Sequence, residues 1–267
     1  MSRNIISLTT IPPRMDSIAP TLQSLLRQNA TIDAVILWIP ARYRRSEFSD
    51  FKLPRVPDGI EIRRCGVDYG PATKVLSAVE VFAGQDVRII YCDDDRLYHP
   101  DWVANLLRES DLHPRDCIAE AGEVVELTLR KVFRSRPAYR ALKISTLGIY
   151  GYFYRKKNRA LDVGYGRADI CKGYGGVLVR PEFFTLAAFD IPDVLWTVDD
   201  IWISGQLAVT GIAIRKITRS EKSEKSDKTA LADVSALEDY SYADHDRHGA
   251  NLACIRYFQE KHGIWKI

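Results

Sequence analysis

Through the first half of the chain, short apolar runs alternate with stretches in which apolar residues return every third or fourth position. The first pattern reads as β-strands and the second as amphipathic helices. Ile5–Leu8, Ala34–Ile39 (closed by Pro40), Glu61–Cys65 and Val87–Cys92 are the predicted strands. Ser17–Gln28 places Ile18, Leu22, Leu25 and Leu26 on one helical face, with Asp16 as cap and Pro20 in the first turn, where proline is tolerated. Ala72–Phe82 does the same with Val75, Val79 and Phe82. Strands that alternate with helices predict an α/β fold with a mainly parallel central sheet flanked by helices. Val87–Cys92 is apolar at nearly every position, which suits a central strand buried on both faces.

Further along, Pro100 opens a predicted helix carrying Trp102, Val103, Leu106 and Leu107, and Cys117–Ala121 reads as a short strand. The pattern loosens between Gly122 and Tyr165. It tightens again into a strand at Gly175–Arg180, a helix from Asp199 to about Val209, a last strand at Ile212–Ile217 and a helix at Asn251–Lys261. Arg219–Lys228, made mostly of Ser, Glu and Lys, reads as a solvated loop, and no internal repeat is visible. The length of 267 residues fits one large α/β domain or two small ones.

Bulk composition narrows the function mainly by exclusion. With 46% hydrophobic residues the chain has ample material for a core, and its net charge of +3 is too mild for a nucleic-acid-binding face. The five cysteines are odd in number, widely spaced and free of any CxxC pair, so they read as reduced, buried thiols rather than disulfides or a zinc site. The N-terminus lacks the pattern of a signal peptide, and no apolar run approaches the roughly 18 residues that span a bilayer. A cytoplasmic protein is expected, peripheral at the inner face of a membrane if it touches one.

The chemistry concentrates in four places. Asp93-Asp94-Asp95 follows the best predicted strand, at the end where open α/β sheets bind ligands. Adjacent carboxylates repel by about 1 to 4 kcal/mol, and a divalent cation reverses the sign of that interaction. A turn or a helix cap accounts for one aspartate; three together point to a metal. Asp199-Asp200 opens a helix, where the dipole alone favours acidic residues; set beside the first cluster, it also offers a carboxylate base apart from a metal site. Two loops on the predicted rim complete the set. Thr9–Arg14 offers Arg14, and Asp68–Lys74 offers Lys74, as anchors for a diphosphate, with Asp68 for a base or ribose. Prolines and a glycine that only shape turns are the plainer reading of both loops.

This order of motifs, covering nearly the whole chain, resembles glycosyltransferases of the GT-A fold, similar to family 2 and related enzymes. The resemblance implies a single catalytic domain, with about 1–121 binding a nucleotide-sugar donor, UDP-sugar favoured, and about 122–267 binding the acceptor and supplying the base. Asp93–Asp95 resembles the DXD motif, which implies Mn2+ or Mg2+ held by Asp93 and Asp95, with Thr9, Arg14, Asp68, Lys74, Asp93 and Asp94 around the donor. Asp199-Asp200 resembles the acidic pair whose final member is the base in inverting enzymes. That points to Asp200, and because many members carry Glu where this chain has Asp199, the base is left between the two. A C-terminal histidine often adds a metal ligand in this fold; His245 and His248 lie in the matching region, and His248 is the one taken. Sugar transfer to a glycan or lipid-linked hydroxyl in surface polysaccharide biosynthesis is the expected activity. The rivals are a sugar nucleotidyltransferase and a non-catalytic carbohydrate- or lipid-binding protein. Thr9–Arg14 lacks the glycines a nucleotidyltransferase phosphate loop requires, and retention of both acidic motifs speaks against a binding protein.

Residues 130–159 hold ten Lys or Arg, no acid, and six aromatics including Tyr150, Tyr152 and Phe153. A solvated cationic face is the ordinary explanation. An acceptor-side surface that also meets acidic lipid headgroups is the functional one.

Overall fold

Ile5 and Ile6 are neighbours in sequence, both buried, and belong to different cores. Ile5, Ile36, Trp38, Ile89 and Tyr91 pack on one side of the sheet, and Ile6, Leu8, Val35, Leu37 and Ile90 on the other. This is the period of two of a strand, applied to strands whose every face is covered. The computed structural model describes residues 2–129, 165–218, 224–225 and 247–266.

The strands are β1 (Arg3–Thr9), β2 (Ala34–Pro40), β3 (Ile60–Cys65), β4 (Val87–Tyr91), β5 (Arg96–Leu97), β6 (Cys117–Ala119), β7 (Gly122–Glu123), β8 (Gly166–Ala168), β9 (Ile170–Cys171), β10 (Val177–Val179), β11 (Ile214–Lys216) and β12 (Glu224–Lys225). The α-helices that cover the sheet are α1 (Ala19–Leu26), α2 (Thr73–Val81), α3 (Trp102–Leu112), α4 (Asp199–Val209) and α5 (Arg247–His262). Eight strands form one sheet in the order β3-β2-β1-β4-β10-β6-β11-β8. It is mainly parallel: β3, β2, β1 and β4 run together, as do β6 and β11, while β10 and β8 run against their neighbours. Short ribbons pair β7 with β9 and β5 with β12. Strands from both sides of residue 121 are thus interleaved in a single sheet.

Helices α1 and α3 cover one face through Leu22, Leu25, Trp102, Val103 and Leu106. The other face is covered by α2, α4 and α5, with Val75, Trp202 and Phe258 among the buried contacts. The Gly175-Gly176 entry to β10 is explained by Gly176, whose φ is +86° and whose Cβ, if it had one, would lie 2.1 Å from the Trp102 ring. Any other residue there would push α3 off the sheet.

Several local expectations need correction. Asp16 does not cap α1; the residue before the helix is Ile18, and no side chain bonds the first turn. Pro100 precedes α3 rather than starting it: it lies inside the turn that the Trp102 N–H closes on the His99 carbonyl, and Asp101 is the residue before the helix. Within Arg219–Lys228, Glu224 and Lys225 form an edge strand instead of loop. All five cysteines are buried and free. The basic stretch 130–159 and His245 lie outside the described residues; the backbone of His248 is in the first turn of α5, and its side chain is likewise outside them. Among the described residues no helix is long and apolar enough to cross a membrane.

Candidate active site

The register of β1 against β4 sets Ser7 opposite Tyr91, so the chain leaves both strands side by side. Out of β1 come Thr10 and Arg14; out of β4 come the three aspartates. Asp94 is 6% exposed and accepts from the Thr10 hydroxyl (2.6 Å) and from Arg14 Nη1 (2.6 Å). Its backbone carbonyl accepts from the Thr21 hydroxyl on α1 (2.9 Å). Asp94 therefore fastens the β1 loop and α1 to the acidic turn. Thr9 is still strand, and its hydroxyl donates to the Trp38 carbonyl on β2 (2.9 Å). The neighbouring Thr10 is the one that meets the acids. Buried Tyr98 pins the same turn, its hydroxyl accepting from the Asp93 N–H and donating to the Asp93 carbonyl.

Lys74, in the first turn of α2, is buried, and its ammonium lies 2.6 Å from Asp93 Oδ1 and 2.7 Å from Asp199 Oδ2. Two acidic motifs far apart in sequence thereby meet across one cation. Burial works against that charge, but Asp199, Asp93 and Asp200 outweigh it and hold the ammonium's pKa well above its ordinary value. The ammonium expected to anchor a diphosphate faces these carboxylates. Gly173 closes over the pair: a Cβ at that position would lie 2.8 Å from both Asp93 Oδ1 and Lys74 Nζ, so any side chain there would make the ion pair shift.

Asp199 and Asp200 occupy the first turn of α4, where the helix dipole favours negative charge. Asp200 Oδ1 accepts from the Gly173 N–H (2.8 Å), and Oδ2 stands 3.8 Å from Lys172 Nζ. Burial, then Asp199, raises the Asp200 carboxyl to about 6, with Lys172 and Lys74 opposing. Lys172 escapes sequence reading because no periodicity or motif marks it; Gly173 at least stands in a visible glycine cluster.

Asp95 differs from its two neighbours. Its nearest cations stand off, Arg96 at 3.6 Å and Arg14 at 4.0 Å, and its side chain keeps 18% exposure. Burial first, then Asp93 and Asp94, raise its pKa. An all-oxygen donor set whose mutual repulsion is only partly offset by the nearby cations fits a hard divalent cation, which would relieve that repulsion. As they stand, no three acidic, His or Cys side chains among the described residues are gathered into a ready cation cage. Asp93 is turned to Lys74 and Asp94 to Arg14.

Asp68 ends the loop after β3. Its carboxylate accepts from the backbone N–H of Arg44 (2.7 Å) and of Gly70 (2.8 Å), and burial raises its pKa against those two bonds. Trp196, just before α4, donates its indole N–H to the Asp68 carbonyl (3.2 Å), and Arg44 lies over the Trp196 ring at 5.3 Å. The loop holding Asp68 is thereby joined to the segment leading into Asp199 and Asp200.

No protein-family model and no curated protein matches the chain. Among solved structures it is similar to residues 1–349 of S. aureus TarS, at 12% identity and a TM-score of 0.48, over all of this chain and 76% of that one. The same TarS fragment in complex with UDP-GlcNAc aligns at 12% identity and a TM-score of 0.49, over 97% of this chain and 65% of the other. The mannosyltransferase PcManGT from Pyrobaculum calidifontis, in complex with GDP-Man and Mn2+, aligns at 14% identity and a TM-score of 0.44, over 97% and 70%. Against a longer TarS structure the chain spans 44% of the length.

Proposed function

We propose that the protein is a metal-dependent, inverting glycosyltransferase of the GT-A fold, moving a sugar from a nucleotide-diphosphate donor, a UDP-sugar in the first instance, to a hydroxyl of a glycan or lipid-linked acceptor in surface polysaccharide biosynthesis. The observation that carries the reading is Lys74, which draws Asp93 of the first acidic motif and Asp199 of the second to one point at the carboxyl end of the sheet. Neither a turn nor a helix cap requires those two motifs to converge.

Asp93 and Asp95 would hold Mn2+ or Mg2+, which when bound neutralises the departing diphosphate. Arg14, fixed by Asp94 and 4.0 Å from Asp95, supplies positive charge on the donor side. Asp68 serves the nucleoside end. Of the acidic pair, Asp199 is neutralised by Lys74, whereas Asp200 keeps 19% side-chain exposure and a proton affinity close to neutral pH. Those are the properties of a general base, and Asp200 takes the proton from the acceptor hydroxyl as the new bond forms. An acceptor oxygen that attacks the anomeric carbon from the face opposite the departing diphosphate inverts that centre, and the proton it sheds goes to Asp200.

The test is release of UDP from UDP-sugars with Mn2+ present, followed across pH. Only ionised Asp200 accepts the proton, so log kcat/KM should climb with a slope of about one up to pH about 6 and level off above it. A profile flat from pH 5 to 8 would remove Asp200 from the role. Retention of anomeric configuration in the product would do the same.

A further inference from the structure

We propose that Lys172 is a positioning residue whose ammonium is divided between Glu123 and Asp200, so that Glu123, one ion pair beyond Asp200, governs how tightly Asp200 holds its proton. The inference rests on the reading of Asp200 as the base. It starts from a ribbon. β7 and β9 pair with Glu123 opposite Ile170, and the Lys172 N–H donates to the Ala121 carbonyl (2.9 Å), so Glu123 and Lys172 are fixed to the same short structure. Lys172 Nζ lies 3.1 Å from Glu123 Oε1 and 3.8 Å from Asp200 Oδ2, making Glu123 the nearer partner. Glu123 is itself held: it is 8% exposed and accepts from the Thr128 hydroxyl at 2.6 Å.

The next residue, Gly173, donates its N–H to Asp200. One dipeptide therefore positions the carboxylate through the backbone and adjusts it through a side chain. The other groups facing Asp200 are Asp199 beside it, Lys74 from α2, Asp93 from the β4 turn, and the buried Tyr91 and Cys171. Lys172 is the cation among them that has an acid of its own outside the site. A charge that sits between two carboxylates stabilises each less than it would stabilise either alone.

Two substitutions should therefore act in opposite directions. Lys172→Met removes the cation and raises the Asp200 pKa by about one unit; Glu123→Gln removes the competing carboxylate, lets the Lys172 ammonium move toward Asp200, and lowers it by about as much. The readout is the carboxyl 13C titration of the protein labelled at aspartate Cγ, with the Asp200 signal identified by its loss in Asp200→Asn. Lys172→Arg, which keeps the charge, should titrate near the wild type. General disturbance of the ribbon would move both variants the same way, so shifts of equal sign, or no shift, overturn the proposal. Should Lys172→Met fail to fold, Glu123→Gln decides alone, since only a downward shift agrees with the proposal. Opposite shifts in a protein that releases no UDP from UDP-sugars would support the shared ammonium and overturn the transferase reading. Release of UDP without opposite shifts would do the reverse.

Discussion

Lys74→Met is expected to lower folding stability at neutral pH by about 3 to 5 kcal/mol, the range for removing one member of a buried ion pair. The loss exceeds that of a cavity because Lys74 serves two carboxylates, at 2.6 and 2.7 Å, and both would be left without it in a partly dry site. Methionine matches the stem, so the missing charge dominates the change. Urea unfolding of both proteins measures it. The surface pair Arg63–Glu61, with the Glu61 side chain 48% exposed, is a suitable contrast: Arg63→Met should cost no more than about 1 kcal/mol, because water replaces such a pair readily. Equal losses from the two substitutions would mean that Lys74 is not the joint between the motifs.

Asp200→Asn should reduce kcat for sugar transfer by about 100- to 10,000-fold while leaving binding of the nucleotide nearly unchanged. The amide preserves the shape and can still accept from the Gly173 N–H, so the variant removes proton acceptance and little else. Initial rates and the nucleotide Kd separate the two effects. Asp199→Asn should behave differently: it removes half of the support for the Lys74 ammonium, so the loss should appear first in stability. If Asp200→Asn kept kcat within tenfold while Asp199→Asn abolished it, the roles of the pair would be exchanged.

Much of this arrangement is legible in the chain because it depends on period and order. The runs at β1, β2 and β4 are apolar on successive residues, which only a sheet covered on both faces explains, and α4 spans the residues its pattern predicts. Two acidic motifs placed after a central strand and at a helix start are visible for the same reason. What the pattern cannot supply is direction within a motif. Asp93, Asp94 and Asp95 look equivalent as letters, yet Asp94 faces Thr10 and Arg14, Asp93 faces Lys74, and Asp95 has only the longer ion pairs with Arg96 and Arg14. Thr9 and Thr10 are likewise indistinguishable until the strand is known to end at Thr9. The antiparallel insertion of β10 between β4 and β6 is a long-range choice, and it carries Lys172 and Gly173 to Asp200 with no local signal in advance.

The most direct test of the central claim, that the acidic turn after β4 serves a cation and a nucleoside diphosphate together, is thermal unfolding of the wild type and of Asp95→Asn with UDP, with Mn2+, and with both. Ligand that binds only the folded state raises stability by about 2.7 kcal/mol at one hundred times its Kd. The wild type should be stabilised by UDP only when Mn2+ is present, and Asp95→Asn should lose that response while unfolding normally without ligand. Stabilisation by UDP that ignores Mn2+, or a variant that responds as the wild type does, would contradict it.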